Sequence, residues 1–124
     1  MSLNNLKQLP EEIQVQILRD MLVQDFLDEQ LKMVKHNGNI IKLIENPSEE
    51  LQLAAVTAFE YAIKYLDNPS EKVQLAAVSC DGTAIRHIKD PSEKVQLAAV
   101  TNRPDCIRHI KDPSEKVQLA AKRN

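Results

Sequence analysis

Four basic residues, Lys42, Lys64, Arg86 and Arg108, stand 22 positions apart in a chain of 124 residues. One cation at a fixed interval is the chemistry of anion recognition. It can follow the phosphates of a nucleic acid or the carboxylates of an acidic protein strip. The position after each cation holds Leu43, Tyr65, His87 and His109, apolar or flat side chains on which a base or a partner's ring can lie. A second basic set, Lys72, Lys94 and Lys116, recurs at the same interval. Ion pairing within the chain is the competing account. Glu71, Glu93 and Glu115 directly precede the second set, and Glu45, Asp67, Lys89 and Lys111 follow the first. Local pairs and charges at helix ends can hold such residues without any ligand.

Other chemistries find little support in the residues. His87 and His109 lie a full interval apart, and no Asp or Cys recurs beside them to complete a metal site. Cys80 and Cys106 occupy non-equivalent positions and form neither a CxxC pair nor a disulfide ladder, which points to a reducing compartment. A lone cysteine of this kind reads as a small core residue rather than a nucleophile. The chain has no Gly-rich phosphate loop, no GxSxG and no HExxH. The expectation is a non-enzyme with no cofactor, no metal and no small-molecule substrate. The net charge of −2 implies no polybasic tail. No run reaches the roughly 18 apolar residues of a membrane span, and no signal-peptide core is present, so a cytoplasmic protein without membrane contact is expected.

The elements that position the cations come from a repeat. Pro47, Pro69, Pro91 and Pro113 are also 22 residues apart, and they open PSEELQLAAV, PSEKVQLAAV, PSEKVQLAAV and PSEKVQLAA. A fixed period in this range marks a repeat architecture. In the unit from Asp90, that aspartate reads as N-cap, Pro91 as the first helical residue and Glu93 as N3 of a capping box. Asn46, Asn68 and Asp112 are the equivalent caps. A short helix A then runs to the closing Val, too apolar for a one-sided surface helix, with Gln74 left to solvent. After a break at Gly82 or Pro104 comes a helix B of barely two turns, partly 3₁₀, with the apolar pairs Ile63/Leu66, Ile85/Ile88 and Ile107/Ile110. Neither helix would be stable alone, so stacking must supply the stability.

The expected organisation is one all-α domain over 1–124, an α-solenoid of helical hairpins. An amphipathic capping helix occupies 1–24, with Ile13, Ile17, Leu18, Met21, Leu22 and Phe26 at helical spacing. A degenerate repeat covers 25–46, three full repeats 47–112, and a half-repeat 113–124 closes the array with polar Lys122, so that the chain reads as complete. Positions that vary between copies gather at the A–B turn: Lys35 to Gly38, Thr57 to Tyr61, Ser79 to Gly82, and Thr101 to Asp105. Phe59 and Tyr61 there are anchor candidates, although Phe59 can equally fill a packing gap left where Gly82 and Pro104 sit elsewhere.

Over residues 25–124 the recurring NPSEKVQLAAV phrase with its short second helix resembles α-solenoids of the HEAT-like class. More closely it resembles the leucine-rich repeat variant, which pairs an α-helix with a 3₁₀-helix, and short repeats met in bacterial and bacteriophage proteins. The resemblance implies a surface-presenting architecture and no catalytic residues. Two features depart from it: the period of 22 is short, and no cysteine cluster for an iron–sulfur centre is present. The opening LPEEIQVQIL is also similar to the start of an F-box, but the downstream apolar positions of that motif are missing. The functional expectation is a protein-binding adaptor or inhibitor, with partner contacts from Lys42, Lys64, Tyr65, Arg86, His87, Arg108, His109, Phe59, Tyr61 and Arg103. The alternative is nucleic-acid backbone binding through Lys42, Lys64, Arg86 and Arg108.

Overall fold

The computed structural model describes residues 8–122 and, within that span, the side chains outside 17–25. The described residues form helices and no strand. Helix α1 (Glu11–His36) is followed by a 3₁₀-helix, η1 (Gly38–Leu43). The same alternation continues through α2 (Glu49–Ala58), η2 (Glu60–Tyr65), α3 (Glu71–Cys80), η3 (Gly82–His87), α4 (Glu93–Asn102) and η4 (Pro104–His109), and the described chain closes with α5 (Glu115–Lys122).

Each α-helix from α2 to α5 starts two residues after one of the recurring prolines, and the cap is a serine. Ser48, Ser70 and Ser92 are extended, with φ near −65°, and their hydroxyls accept from the backbone N–H of Leu51, Val73 and Val95 at 3.2, 3.3 and 3.3 Å. Ser114 does the same for Val117. This corrects the expectation that Asp90 and its equivalents cap the helices from ahead of the proline. Asn46, Asp90 and Asp112 instead take φ of 51°, 51° and 52°. That left-handed conformation reverses the chain, and Asn and Asp tolerate it better than other side-chain-bearing residues. With serine at N-cap, the glutamate after it falls at N1. It still complements the positive end of the helix, but it cannot close a capping box.

The recurring glutamine has a structural task as well. Nε2 of Gln52, Gln74, Gln96 and Gln118 donates to the carbonyls of Pro47, Pro69, Pro91 and Pro113, each at 3.0 Å. The expectation of a solvent-facing Gln74 is thereby corrected: it is half-buried and ties the first turn to the loop before it. Gln14 makes the same bond to the Leu9 carbonyl at 2.6 Å.

The chain divides into two compact units, Met1–Lys32 and Met33–Asn124. In the first unit Ile13 and Phe26 are exposed, while Ile17, Leu18, Met21 and Leu22 of the expected apolar face lie outside the described side chains. In the second unit, neighbours in sequence are neighbours in space. Helix α2 packs on α3, α3 on α4, and α4 on α5; each 3₁₀-helix packs on the next, and η2, η3 and η4 each touch the α-helices on both sides of them.

The core of this unit is aliphatic. Val73, Ala77, Val78, Val95, Ala99 and Val100 are fully inaccessible, joined by Ile63, Ile85 and Cys106. The second alanine of each pair, Ala55, Ala77 or Ala99, is the buried one, and it brings the helix backbones close. Gly38 and Gly82 sit at that approach. A Cβ built on either would stand 2.3 Å from the carbonyl oxygen of Ala55 or Ala99, well inside contact distance, so a side chain at either would force the backbones apart. Lys122 ends α5 exposed to solvent, and the Arg123 and Asn124 of the expected polar cap lie outside the described residues.

Candidate functional site

The 3₁₀-helices place the cations. Three residues per turn bring i and i+3 to one side. The buried face therefore takes Ile41, Ile63 and Ile85, with Ile88 and Ile110 one turn on. The residue after each inward isoleucine points out, and so Lys42, Lys64, Arg86 and Arg108 are all exposed. Because consecutive 3₁₀-helices lie against one another, the four cations are brought onto successive neighbours of one face. Among the described residues, none of the four has a carboxylate within the 4.0 Å of an ion pair.

The aromatic side chains of the site fall into two groups. Tyr65, 37% exposed, takes the lysines: Lys42 Nζ lies 5.7 Å and Lys64 Nζ 5.1 Å from its ring centroid. Tyr61 turns the other way, toward η3. Its hydroxyl is 2.7 Å from Thr83 Oγ1, and its ring meets the His87 ring edge-on at 5.5 Å and the Phe59 ring at 5.6 Å. Phe59, Tyr61 and His87 are half-buried and form a packed ring cluster across two 3₁₀-helices. The position that Gly82 and Pro104 occupy in other copies holds Glu60, so Phe59 belongs to the hinge itself, with φ of −156°.

His87 sits in a positive field. Burial first, then Arg86, Lys64 and His109, push its pKa below the ordinary imidazole value. His109 is half-buried on η4. Leu43, at the same position on η1, is 77% exposed. The strip beside the cations thus grades from an open apolar side chain through an aromatic ring to imidazoles.

Arg103 belongs to a different arrangement. It lies 3.8 Å from both Asp81 and Asp105. Asp81 also accepts from the backbone N–H and the hydroxyl of Thr83 at 3.0 and 2.8 Å. The Thr83 N–H foremost, with its hydroxyl and Arg103, holds the Asp81 carboxyl below its ordinary pKa against the opposing effect of burial. Asn102 completes this edge: its Oδ1 accepts from Gly82 N at 2.7 Å and its Nδ2 donates to the Ser79 carbonyl at 3.3 Å. Asp81 and Asn102 fall within the variable A–B turn segments and Thr83 just outside them, and their bonds leave no periodic signal because their counterparts in the other copies are different residues.

Glu71, expected to pair with Lys72, has another partner, and Glu49 is held in the same way. Ser70 and Ser92 donate from their hydroxyls to the carboxylates of Glu49 and Glu71 at 2.7 and 2.8 Å. Each such bond joins one N-cap to the helix before it. Two grooves lie in the loops that lead from a 3₁₀-helix into the following α-helix. One of about 710 Å³ is lined by residues including Lys42, Glu45, Gln52, Tyr65 and Asp67, and one of about 350 Å³ by residues including Asp67, Gln74, His87, Lys89 and Asp90. Gln52 Oε1 is buried at the first with no hydrogen-bond partner. No group of three or more His, Cys, Asp or Glu able to hold a metal occurs among the described residues. No described helix is long and apolar enough to cross a membrane. Scanned against protein-family models, curated proteins and solved structures, the chain matches none of them.

Proposed function

We propose that the chain is a non-catalytic, HEAT-like α-solenoid built on a 22-residue unit, and that it binds a protein partner, as an adaptor or an inhibitor, on the face formed by its 3₁₀-helices. The observation that carries the reading is that, among the described residues, Lys42, Lys64, Arg86 and Arg108 have no carboxylate partner. Exposed cations held on neighbouring elements without carboxylate partners keep their charge available to a ligand, and charged groups of this sort fix orientation and partner choice. Packing of each element on the next supports the solenoid reading. The two free cysteines, one exposed and one buried, suit the reducing cytoplasm proposed as its location.

The test is capture with wild-type protein and with the double reversal Arg86→Glu/Arg108→Glu. Both positions are exposed, so the variant keeps the helical circular dichroism and the melt of the wild type. A protein bound by the wild type and lost with the variant is the expected result; capture indifferent to the reversal overturns the site. Nucleic-acid binding is the second reading, favoured by the placement of Lys42 and Lys64 about the Tyr65 ring. Anisotropy of labelled oligonucleotides at about 50 and 200 mM salt separates the two, since phosphate binding falls steeply with salt.

A further inference from the structure

We infer that the occupant of this face is an extended acidic peptide segment carrying a carboxylate at every third residue; the inference rests on the protein-binding reading above. The argument is one of spacing and charge. Lys42 and Lys64 both approach the Tyr65 centroid, at 5.7 and 5.1 Å, so their nitrogens are no more than about 11 Å apart. Packed helices of neighbouring copies would set a similar pitch of roughly 8–10 Å. A polyproline-type strand rises about 3.1 Å per residue with three residues per turn, so every third side chain returns to one face about 9 Å on. Each strand of duplex DNA carries a charge about every 3.4 Å of helix axis. A column at this pitch would leave most of its phosphates unmatched.

The neighbouring strip agrees with this assignment. Leu43 is 77% exposed and Tyr65 37% exposed, so apolar residues between the acidic ones have a surface to lie on. The charged and titratable groups on the 3₁₀-helices are Lys42 on η1, Glu60 and Lys64 on η2, Arg86 and His87 on η3, and Asp105, Arg108 and His109 on η4, with Asp105 3.8 Å from Arg103. Glu45, Asp67, Lys89 and Lys111 lie in the loops just after them. Four cations stand against two carboxylates, Glu60 and Asp105, on the 3₁₀-helices, whereas the whole chain carries −2. An acidic segment therefore has this face as its complement.

The experiment uses three labelled probes at fixed salt: a twelve-residue Glu-Pro-Leu repeat, a peptide of the same composition with its four glutamates contiguous, and oligo-dT. The repeat peptide should bind about tenfold more tightly than the contiguous one and lose that binding in Arg86→Glu/Arg108→Glu. Lys72→Glu/Lys94→Glu, on the α-helices, should leave it unchanged. Equal binding of the two peptides, equal loss in both variants, or absence of peptide binding overturns the spacing argument. The capture experiment above keeps the two claims apart: a partner still lost on Arg86→Glu/Arg108→Glu preserves the protein-binding reading while the peptide form fails. Tighter binding of oligo-dT than of either peptide overturns both.

Discussion

At the scale of single residues, the strongest constraints lie at the helix starts and the hinges. Ser92 supplies the hydroxyl that accepts from Val95, so Ser92→Ala should lower stability by about 1 kcal/mol, the usual value of an N-cap, read from urea unfolding. Asp90→Asn should be nearly neutral, because the structure gives residue 90 a left-handed turn to make and no cap. A larger effect at Asp90 than at Ser92 would reverse that assignment. Gly82→Ala forces a methyl to 2.3 Å from the Ala99 carbonyl. It should cost more than the ordinary ~1 kcal/mol of a glycine change, with a drop in melting temperature. His87 gives the molecule a pH dependence. Burial, Arg86, Lys64 and His109 disfavour its charged form in the folded state. Below an ordinary imidazole pKa of about 6.5 the unfolded chain takes up that proton first, so stability falls as pH drops from there toward the depressed folded value. His87→Gln should remove part of that fall in melts at about pH 7.5 and 5.5. An identical fall would assign it to other groups.

At the scale of elements, the α-helices are joined by small contacts repeated from copy to copy. The buried alanine of each pair allows close approach, the N-cap serine bonds back to the preceding glutamate, and the glutamine holds the loop. Ala77 is fully buried between α3 and its neighbours. Ala77→Leu should therefore destabilise by about 1–3 kcal/mol through overpacking. A wild-type melt in this variant would mean that the helices do not meet there. The cysteines report on the same packing. Burial and the nearby Glu60 raise the Cys80 thiol, and burial most of all raises that of Cys106. Exposed Cys80 should alkylate more slowly than free cysteine at about pH 7.5, and buried Cys106 only on unfolding, both followed by mass spectrometry.

At the scale of the whole molecule, elements of Met33–Asn124 contact their sequence neighbours. On the proposed solenoid reading, stability is the sum of weak units and the interfaces between them, and damage at one interface spreads to the next. Val95→Ala, in the central α4, should then loosen both flanking elements. Hydrogen exchange should show protection lost in α3 and α5 as well as in α4; loss confined to α4 would oppose the reading.

The sequence by itself determined the periodicity, the alternation of a longer and a shorter helix, part of the 3₁₀ character of the second, and the interval of the cations. All of these follow from local pattern: proline spacing, apolar i,i+3 pairs and turn residues act within a few positions of themselves. Tertiary structure decided the rest. The serine and not the aspartate became the cap, because the left-handed turn at Asn46, Asp90 and Asp112 had to redirect the chain into the next helix. Glu71 went to Ser92 and not to Lys72, and Arg103 went to Asp81, because elements far apart in sequence came within reach. Among the described residues, Lys42, Lys64, Arg86 and Arg108 have no carboxylate partner. Which charge finds a partner depends on distances between neighbouring elements, and one copy of the repeat contains no record of them.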